Sequence, residues 1–230
     1  MGKGLASRAN AGASAAAEYR RARGAARQRK LVNAAGAALA AGLLMAGVWT
    51  AQPWLGVAGV GVGLADWLLR PESDPDRWRR GAAGEVATAA LLSRLPRRFV
   101  VLHDRRLPGV RANVDHLVIG PTGVWVVDSK AYRARLRIRR GQVWAGGYHV
   151  PTTQAAWEAE RVEHLLGMSV QALVAVHADG LRRRGKVVGG VRVLPATRLG
   201  RRLRRGRRVL TRAEIADLGV RADTLLPPAR

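Results

Sequence analysis

The chain contains no cysteine. This absence excludes disulfide bonds and thiolate metal sites, so a metal site here must use carboxylate, histidine or carbonyl ligands. Such ligands favour Mg²⁺ or Mn²⁺ over structural zinc. Aromatic residues are also scarce, with one Phe and three Tyr, which argues against recognition of single-stranded nucleic acid by base stacking. The sequence has no zinc finger, glycine-rich phosphate loop or nucleophile elbow, and this disfavours several other enzyme classes.

Acidic residues are few as well. The 230 residues include 40 Lys and Arg but only 16 Asp and Glu, which gives a formal net charge of +24. A GC-rich coding sequence explains why Arg outnumbers Lys, but it does not explain the shortage of acids. A charge of this size points to a polyanionic partner, and nucleic acid and anionic lipid headgroups are the two obvious classes.

The distribution of charge and apolar residues divides the chain into five segments. Residues 1–30 carry eight basic residues and one acid, which predicts a disordered or fraying basic arm. The segment 31–69 is apolar, 70–80 is a polar linker with two prolines, and 81–195 has the pattern of a folded α/β domain. Residues 196–230 form a basic C-terminal extension.

The apolar segment has no Lys or Arg and a single acid, Asp66. It is too long for one membrane span, which needs about 20 residues, and Gln52-Pro53 breaks it near the middle. We therefore expect two helices, about 32–50 and 54–69, that form a transmembrane hairpin with tryptophans near its ends. Glycines in both halves would let the two backbones pack closely.

Basic residues flank the apolar segment on both sides, so the positive-inside rule predicts a multi-pass protein of the cell membrane with both termini in the cytoplasm. Two alternatives remain. One is a buried helical hairpin of a soluble protein, and the other is a cleaved signal peptide, for which the segment begins late and is about twice too long.

Periodicity in the folded segment predicts alternating helices and strands. A helix is expected over Gly81–Leu95 and another over Thr153–Leu166, with Thr153 as its N-cap. Val114–Ile119 and Val124–Val127 are two apolar runs separated by Gly-Pro-Thr-Gly, which predicts a β-hairpin. Further strands are expected at 99–102, 135–139, around Gly146-Gly147, at 172–176 and at 191–194, with helices after Pro195 and from Thr211.

Three acids and one lysine stand out in this segment. Asp128 directly follows a buried strand, and Asp128 and Lys130 share one face because side chains two apart on a strand point the same way. The hairpin can bring Asp115 close to Asp128. Glu85 lies early in the preceding helix and could approach the same point. The alternative is that the helix dipole favours an acid at the helix N-terminus. Two carboxylates and a lysine suit phosphodiester hydrolysis, because the carboxylates hold a divalent cation and the lysine offsets charge in the transition state.

The motifs Gly84-Glu85, Asn113-Val114-Asp115-His116 and Gly120-Pro121-Thr122-Gly123, followed by Asp128-Ser129-Lys130, resemble the nuclease-related domain (NERD) family over about residues 81–170. The resemblance implies a restriction-endonuclease-like fold of the PD-(D/E)xK superfamily, a mixed sheet flanked by helices. It also implies an active site of Glu85, Asp115, Asp128 and Lys130, with Mg²⁺ or Mn²⁺ held by the three acids. Gln154 resembles the family's Gln at the start of the following helix, and His116 matches without a clear role.

The region 182–208 holds twelve basic residues and no acid, and it suits sequence-independent contacts with phosphates. The expected nucleic-acid contacts are Arg182, Arg183, Arg184, Arg201, Arg202, Arg204 and Arg205. The alternative is a solvated face lying against anionic lipid.

The sequence therefore predicts a membrane-anchored, metal-dependent nuclease acting on DNA. One rival is a non-catalytic membrane-tethered adaptor that keeps the fold and binds nucleic acid, lipid or a protein. Another is a nuclease acting on RNA, and no feature of the sequence separates RNA from DNA.

Overall fold

The computed structural model describes residues 35–68, 75–182 and 184–229. These residues divide into two compact units that meet in sequence between Trp78 and Arg79. Several predictions lie outside the described residues: the basic arm 1–30, the ends of the apolar segment, the first part of the linker, and Arg183 as a nucleic-acid contact.

The apolar segment forms two helices, as predicted. Helix α1 is described over 35–49 and helix α2 covers Pro53–Leu68, with the turn at the expected break. The two backbones approach closely where small residues face each other. A Cβ on Gly47 would lie 2.9 Å from the backbone nitrogen of Gly56, and one on Gly59 would lie 2.8 Å from the carbonyl oxygen of Ala40.

The predicted transmembrane character of this hairpin is not supported. No helix within the described ranges is long and apolar enough to cross a membrane. Helix α2 has 16 residues, whereas a span needs about 20 residues at 1.5 Å per residue.

Helix α3 covers Pro75–Leu92 and corrects the predicted linker, whose second half is helical. The helix begins at a proline, which is favoured at the first helical position because its missing N–H group would have no partner there. It ends at Leu92, three residues before the predicted end.

The second unit is built on a mixed sheet of six strands. Their bounds are β1 Val100–Arg106, β2 Asn113–Gly120, β3 Gly123–Ala131, β7 Val170–His177, β8 Lys186–Val188 and β9 Val191–Pro195. The strands lie in the order β1-β2-β3-β7-β9-β8. Strands β1 to β3 form an antiparallel meander, β3, β7 and β9 run parallel, and β8 pairs antiparallel with β9.

Helices cover both faces of this sheet. Helix α4 (Thr153–Leu166) and helix α6 (Arg212–Leu225) pack on one face through residues such as Val162 and Ile215. Helix α3 and the short helix α5 (Leu199–Arg204) pack on the other through Leu92, Leu199 and Leu203. The predicted α/β class with a mixed, helix-flanked sheet is therefore confirmed.

A smaller antiparallel sheet of β4 (Leu136–Arg139), β5 (Gln142–Ala145) and β6 (Tyr148–His149) lies in sequence between β3 and α4. The two-glycine turn that separates β5 from β6 was predicted. The N-cap of α4 is Thr152, one residue before the predicted Thr153.

Two strand predictions need correction. Strand β1 runs four residues beyond its predicted end at Leu102, because buried polar residues replace the expected apolar ones there: Arg105, for instance, forms an ion pair of 2.7 Å with Asp223 on α6. Strand β8 was not predicted, since three residues carry too little pattern to identify a strand.

The basic extension from residue 196 belongs to the same unit as the sheet. Helix α6 begins at Arg212, one residue after the predicted Thr211, which is its N-cap and forms a capping box with Glu214. Its buried Ile215, Leu218 and Ala222 complete the core on the α4 face. Burying three apolar side chains contributes several kcal/mol, at roughly 25 cal/mol per Å² of apolar surface.

Candidate active site

The candidate site lies where the central strands β2 and β3 place their acidic residues. The β2–β3 register pairs His116 with Val127, so Asp115 and Asp128 stand at the next position of the hairpin, opposite each other. Residues directly opposite in an antiparallel pair share a face. Both carboxyl groups therefore project toward α4, beyond the apolar core residues Val124 and Val126.

Lys130 lies on the same face of β3, two residues after Asp128. Its Nζ donates a hydrogen bond of 2.7 Å to Asp128 Oδ1, which is also a salt bridge. The Asp128 side chain is 2% exposed and that of Lys130 is 23% exposed. The lysine therefore links a buried carboxylate to solvent. Asp128 also raises the pKa of Lys130, although burial acts in the opposite direction.

Asp115 is held by the backbone of the neighbouring strand. The N–H of Ser129 donates a 2.8 Å hydrogen bond to Asp115 Oδ2. The Ser129 side chain points to the opposite face, where its Oγ lies 3.1 Å from His116 Nε2, and His116 Nδ1 lies 2.8 Å from His103 Nδ1. His116 is thus a buried structural group behind the carboxylates, and burial lowers its pKa well below the usual value.

Glu85 reaches the site from helix α3. The helix comes close to the end of β3 at Gly84, where a Cβ would lie 3.0 Å from the Cβ of Ala131. Burial, followed by the charge of Asp115, raises the pKa of Glu85 to about 9, and Lys130 opposes that rise. The structure therefore brings together the four predicted residues Glu85, Asp115, Asp128 and Lys130 in one electrostatic cluster.

The fifth predicted residue, Gln154, is exposed on the first turn of α4. Its Nε2 donates a 2.9 Å hydrogen bond to Glu158 Oε1, one helical turn later. Gln154 therefore contacts a site acid, and it forms no hydrogen bond with Asp115, Asp128 or Lys130 among the described residues.

Glu158 is a site residue that the sequence analysis missed. It is 1% exposed, and its Oε2 is buried without a hydrogen-bond partner. Burial, followed by the charges of Asp115 and Asp128, raises its pKa to about 8. A usable signal exists in the sequence, because Glu158 falls within the apolar stripe of α4 together with Ala155, Ala159 and Val162. Acidic side chains are almost never fully buried unless they are paired, so an acid at a core position of a helix indicates a functional candidate.

Asp104 is a second acid that was missed. The β1–β2 register pairs His103 with His116 and Arg105 with Val114, so Asp104 stands opposite Asp115. It is 2% exposed and has a φ of 48°, a conformation uncommon for a residue with a side chain. Its charge raises the pKa values of both Glu85 and Asp115. The sequence around it is a run of polar residues, which gave no signal.

Negative charge is in excess at this site. Burial and the charge of Asp128 raise the pKa of Asp115 to about 7, and burial raises the pKa of Asp128 despite its contact with Lys130. One lysine cannot neutralise the four carboxyl groups whose pKa values are raised, those of Glu85, Asp115, Asp128 and Glu158, so some of them hold protons at neutral pH.

The predicted metal shell of Glu85, Asp115 and Asp128 is not formed in this structure. Within residues 35–68, 75–182 and 184–229, no three His, Asp or Glu side chains are arranged to hold a metal ion. The contacts explain why, since Lys130 occupies Asp128 Oδ1 and the Ser129 N–H occupies Asp115 Oδ2. Asp128 Oδ2 is buried and has no hydrogen-bond partner, so it remains as a donor oxygen.

Most of the predicted nucleic-acid contacts lie away from these carboxylates. Helix α5 carries Arg201, Arg202 and Arg204, and its Leu203 carbonyl accepts a hydrogen bond from Thr122 at the β2–β3 turn. Asp128 lies six residues further along β3, which corresponds to about 20 Å at 3.3 Å per residue. Arg202 is also used in packing, with its guanidinium 4.8 Å from the ring centre of Trp125.

Comparison with known families identifies part of this unit. Residues 80–180 match the family model of the nuclease-related domain. The matched segment contains all of the site residues described above. Searches of curated proteins and of solved structures found no match to the chain.

Proposed function

We propose that this nuclease-related domain is a metal-dependent nuclease that hydrolyses phosphodiester bonds of DNA. The observation that carries the proposal is the contact between Lys130 and Asp128, set among further carboxyl groups at one end of the central strands. An Asp on β2 followed by Asp-x-Lys on β3 is the pattern of the restriction-endonuclease-like superfamily. We assign the domain to that fold on this arrangement and on its helix-flanked mixed sheet.

The donor set supports Mg²⁺ or Mn²⁺ as the cofactor. Its ligands would all be carboxylate oxygens, which hard divalent cations prefer. Asp128 Oδ2 is a buried oxygen that lacks a partner, and the excess of negative charge would be relieved by a divalent cation. Asp115 and Asp128 would hold the ion, with Glu85 as the third acid. When bound, such an ion polarises a phosphoryl oxygen and lowers the pKa of a bound water.

The protein's own groups would do the remaining work. Lys130 is partly exposed and carries a positive charge, because its pKa is raised further by Asp128. It is placed to orient an attacking water and to offset the negative charge that develops on the phosphate. The Ser129 N–H fixes the direction of the Asp115 carboxylate. Fixing charged groups before the reaction avoids a reorganisation cost during it.

The test is cleavage of supercoiled plasmid by the purified full chain in Mg²⁺ or Mn²⁺, with EDTA as the metal-free control. We expect Asp128→Asn and Lys130→Met to lower the rate by about 100-fold or more, as loss of a transition-state contact does. Asp217→Asn, an exposed acid on α6, is the matched control and should cleave as wild type. Equal rates for all four proteins would refute the proposal. A parallel assay on a structured RNA tests the choice of DNA.

A second candidate function is a non-catalytic domain that binds nucleic acid and keeps the nuclease fold. Two observations favour it. No metal shell is formed among the described residues, and Lys130 Nζ is hydrogen-bonded to Asp128 Oδ1. It predicts DNA binding that does not depend on metal, no cleavage under any metal condition, and unchanged binding by Lys130→Met. Metal-dependent cleavage that is lost in Lys130→Met would exclude it.

A further inference from the structure

A cleft opens at the same end of the sheet as the site. It has a volume of about 740 Å³ and is bordered by the carboxyl ends of the parallel strands β7 and β9, at His177 and Pro195. In parallel α/β sheets this end of the strands is the usual place for a ligand. Tyr132, which directly follows β3, forms another part of the wall.

Tyr132, which lines the cleft, follows Lys130 of the site by two residues. The phenol of Tyr132 is close enough to Lys130 for its charge to influence the pKa of the lysine. The N–H of Tyr132 donates a 3.2 Å hydrogen bond to the carbonyl oxygen of His177. His177 Nε2 in turn lies 2.7 Å from Thr88 Oγ1, on the turn of α3 that follows Glu85. One wall of the cleft is therefore bonded to helix α3 and lies directly after β3, two of the elements that carry the acids.

The charge of the cleft is positive. Three arginines line it, Arg133, Arg135 and Arg198, against one acid, Asp179. Arg133 and Arg135 are exposed, and Arg198 is half-buried in the 3-10 turn after β9. None of the three guanidinium groups has an ion-pair partner in the part of the chain that the structure describes. Three unpaired guanidinium groups beside a strongly acidic site are an unusual juxtaposition, and they suit an anion that must be brought up to that site.

Guanidinium groups bind phosphate through two parallel N–H bonds, which gives both strength and direction. A phosphodiester chain presents regularly spaced phosphates, and contacts of this kind set its position on a protein. We propose that the cleft holds the sugar-phosphate backbone of the strand to be cut, with Arg133, Arg135 and Arg198 as its phosphate contacts. This rests on the proposed function, and it assigns the binding role to arginines that the sequence analysis did not single out.

The chain offers a matched control for this assignment. Arg201, Arg204 and Arg205 also carry three positive charges, and they lie on or just after α5, toward the β2–β3 turn at the opposite end of the sheet. Replacing either group with alanine removes the same charge from the protein. A difference between the two triple variants therefore reports position, not total charge.

The experiment measures binding of the full chain to a fluorescein-labelled 20-base-pair DNA duplex in EDTA, by fluorescence anisotropy across 50–200 mM salt. We expect R133A/R135A/R198A to bind at least about 10-fold more weakly and to lose about one unit of the log–log salt slope per arginine. R201A/R204A/R205A should bind within about 3-fold of wild type. Equal losses in the two variants, a larger loss in the α5 variant, or no binding by wild type would overturn the proposal.

Two further measurements keep the outcome clear. The double variant R133A/R135A changes only exposed side chains, so it replaces the triple variant if circular dichroism shows that removal of half-buried Arg198 unfolds the domain. We expect it to lose at least about 5-fold in affinity, and affinity equal to wild type would overturn the proposal.

Because binding is measured without metal, it is independent of cleavage. Wild type that binds through the cleft but never cleaves refutes the nuclease and leaves the cleft assignment standing. If wild type cleaves DNA and the cleft variant binds DNA as tightly as wild type, the nuclease proposal stands and the cleft assignment is refuted.

Discussion

Replacing Glu158 with glutamine isolates the cost of burying an acid in this site. The glutamate is 1% exposed, with one oxygen bonded to Gln154 and the other without a partner. Its pKa is raised from 4.5 to about 8. Glutamine has the same shape, and its carbonyl oxygen can still accept the hydrogen bond from Gln154. The change therefore removes the titration and keeps the packing.

The raised pKa of Glu158 decides how the free energy of unfolding changes with pH. Between pH 5 and pH 8 the carboxyl group of Glu158 is protonated in the folded protein and ionised in the unfolded chain. The folded state then binds more protons, so the free energy of unfolding falls as pH rises, by about 1.4 kcal/mol per pH unit for one such group. Three units give about 4 kcal/mol. The other raised carboxyl groups, Glu85 and Asp115, are present in both proteins, so the larger part of their contribution cancels in the difference.

The assay is urea denaturation in EDTA at pH 5, 6, 7 and 8, followed by tryptophan fluorescence. At pH 5 wild type and Glu158→Gln should have nearly the same free energy of unfolding. At pH 8 the variant should be more stable by about 2–4 kcal/mol. Glu160→Gln, an exposed position on the same helix, controls for the loss of one helix carboxylate. A difference that stays constant with pH, or a wild type that is the more stable protein at pH 8, would refute the reasoning.

Two further substitutions test how the site is positioned. Gly84→Val places branched methyl groups against β3, where even a single Cβ would be tight, and we expect the displaced helix to lower plasmid cleavage by about 100-fold. Gly81→Ala, with open space around its Cβ, should leave cleavage unchanged and stabilise α3 by about 0.5–1 kcal/mol; equal rates for both variants would contradict this account. Ser129→Ala removes the hydroxyl bonded to His116 and should lower the free energy of unfolding by about 1–3 kcal/mol in urea. Ser93→Ala, at an exposed position, should cost less than about 0.5 kcal/mol, and a similar small loss in Ser129→Ala would show that the buried bond contributes little.

The parts of the fold that sequence reasoning predicted are those governed by short-range rules. The β2–β3 hairpin follows from two apolar runs around Gly120 to Gly123, and its register places Asp115 opposite Asp128 without further information. The side-chain period of two predicts that Asp128 and Lys130 share a face, and the structure brings them to 2.7 Å. Local pattern was enough because each of these relations spans few residues.

The parts that were missed depend on contacts between distant segments. Glu158 joins the site only because α4 packs on the face of the sheet that carries Asp115, which no local pattern specifies. The arginines of the cleft are scattered between residues 133 and 198, and they converge only at the ends of non-adjacent segments. The arginine run after residue 200 lies toward the opposite end of the sheet, near the β2–β3 turn, and its predicted contacts with nucleic acid remain a prediction.

The geometry of the sheet supports our proposal that this site binds an external cation. Registers on both sides of β2 place Asp104, Asp115 and Asp128 in one row across three neighbouring strands. Like charges directly opposite on neighbouring strands destabilise a sheet, and α3 and α4 each add a further buried acid. Lys130 forms a 2.7 Å ion pair with Asp128, which offsets the charge of one of these acids. Concentrated, poorly compensated charge in an otherwise well-packed core is the kind of local cost that persists where function requires it. The binding of a divalent cation and a phosphate would convert that cost into affinity, which is why the site and the arginine cleft beside it are best understood together.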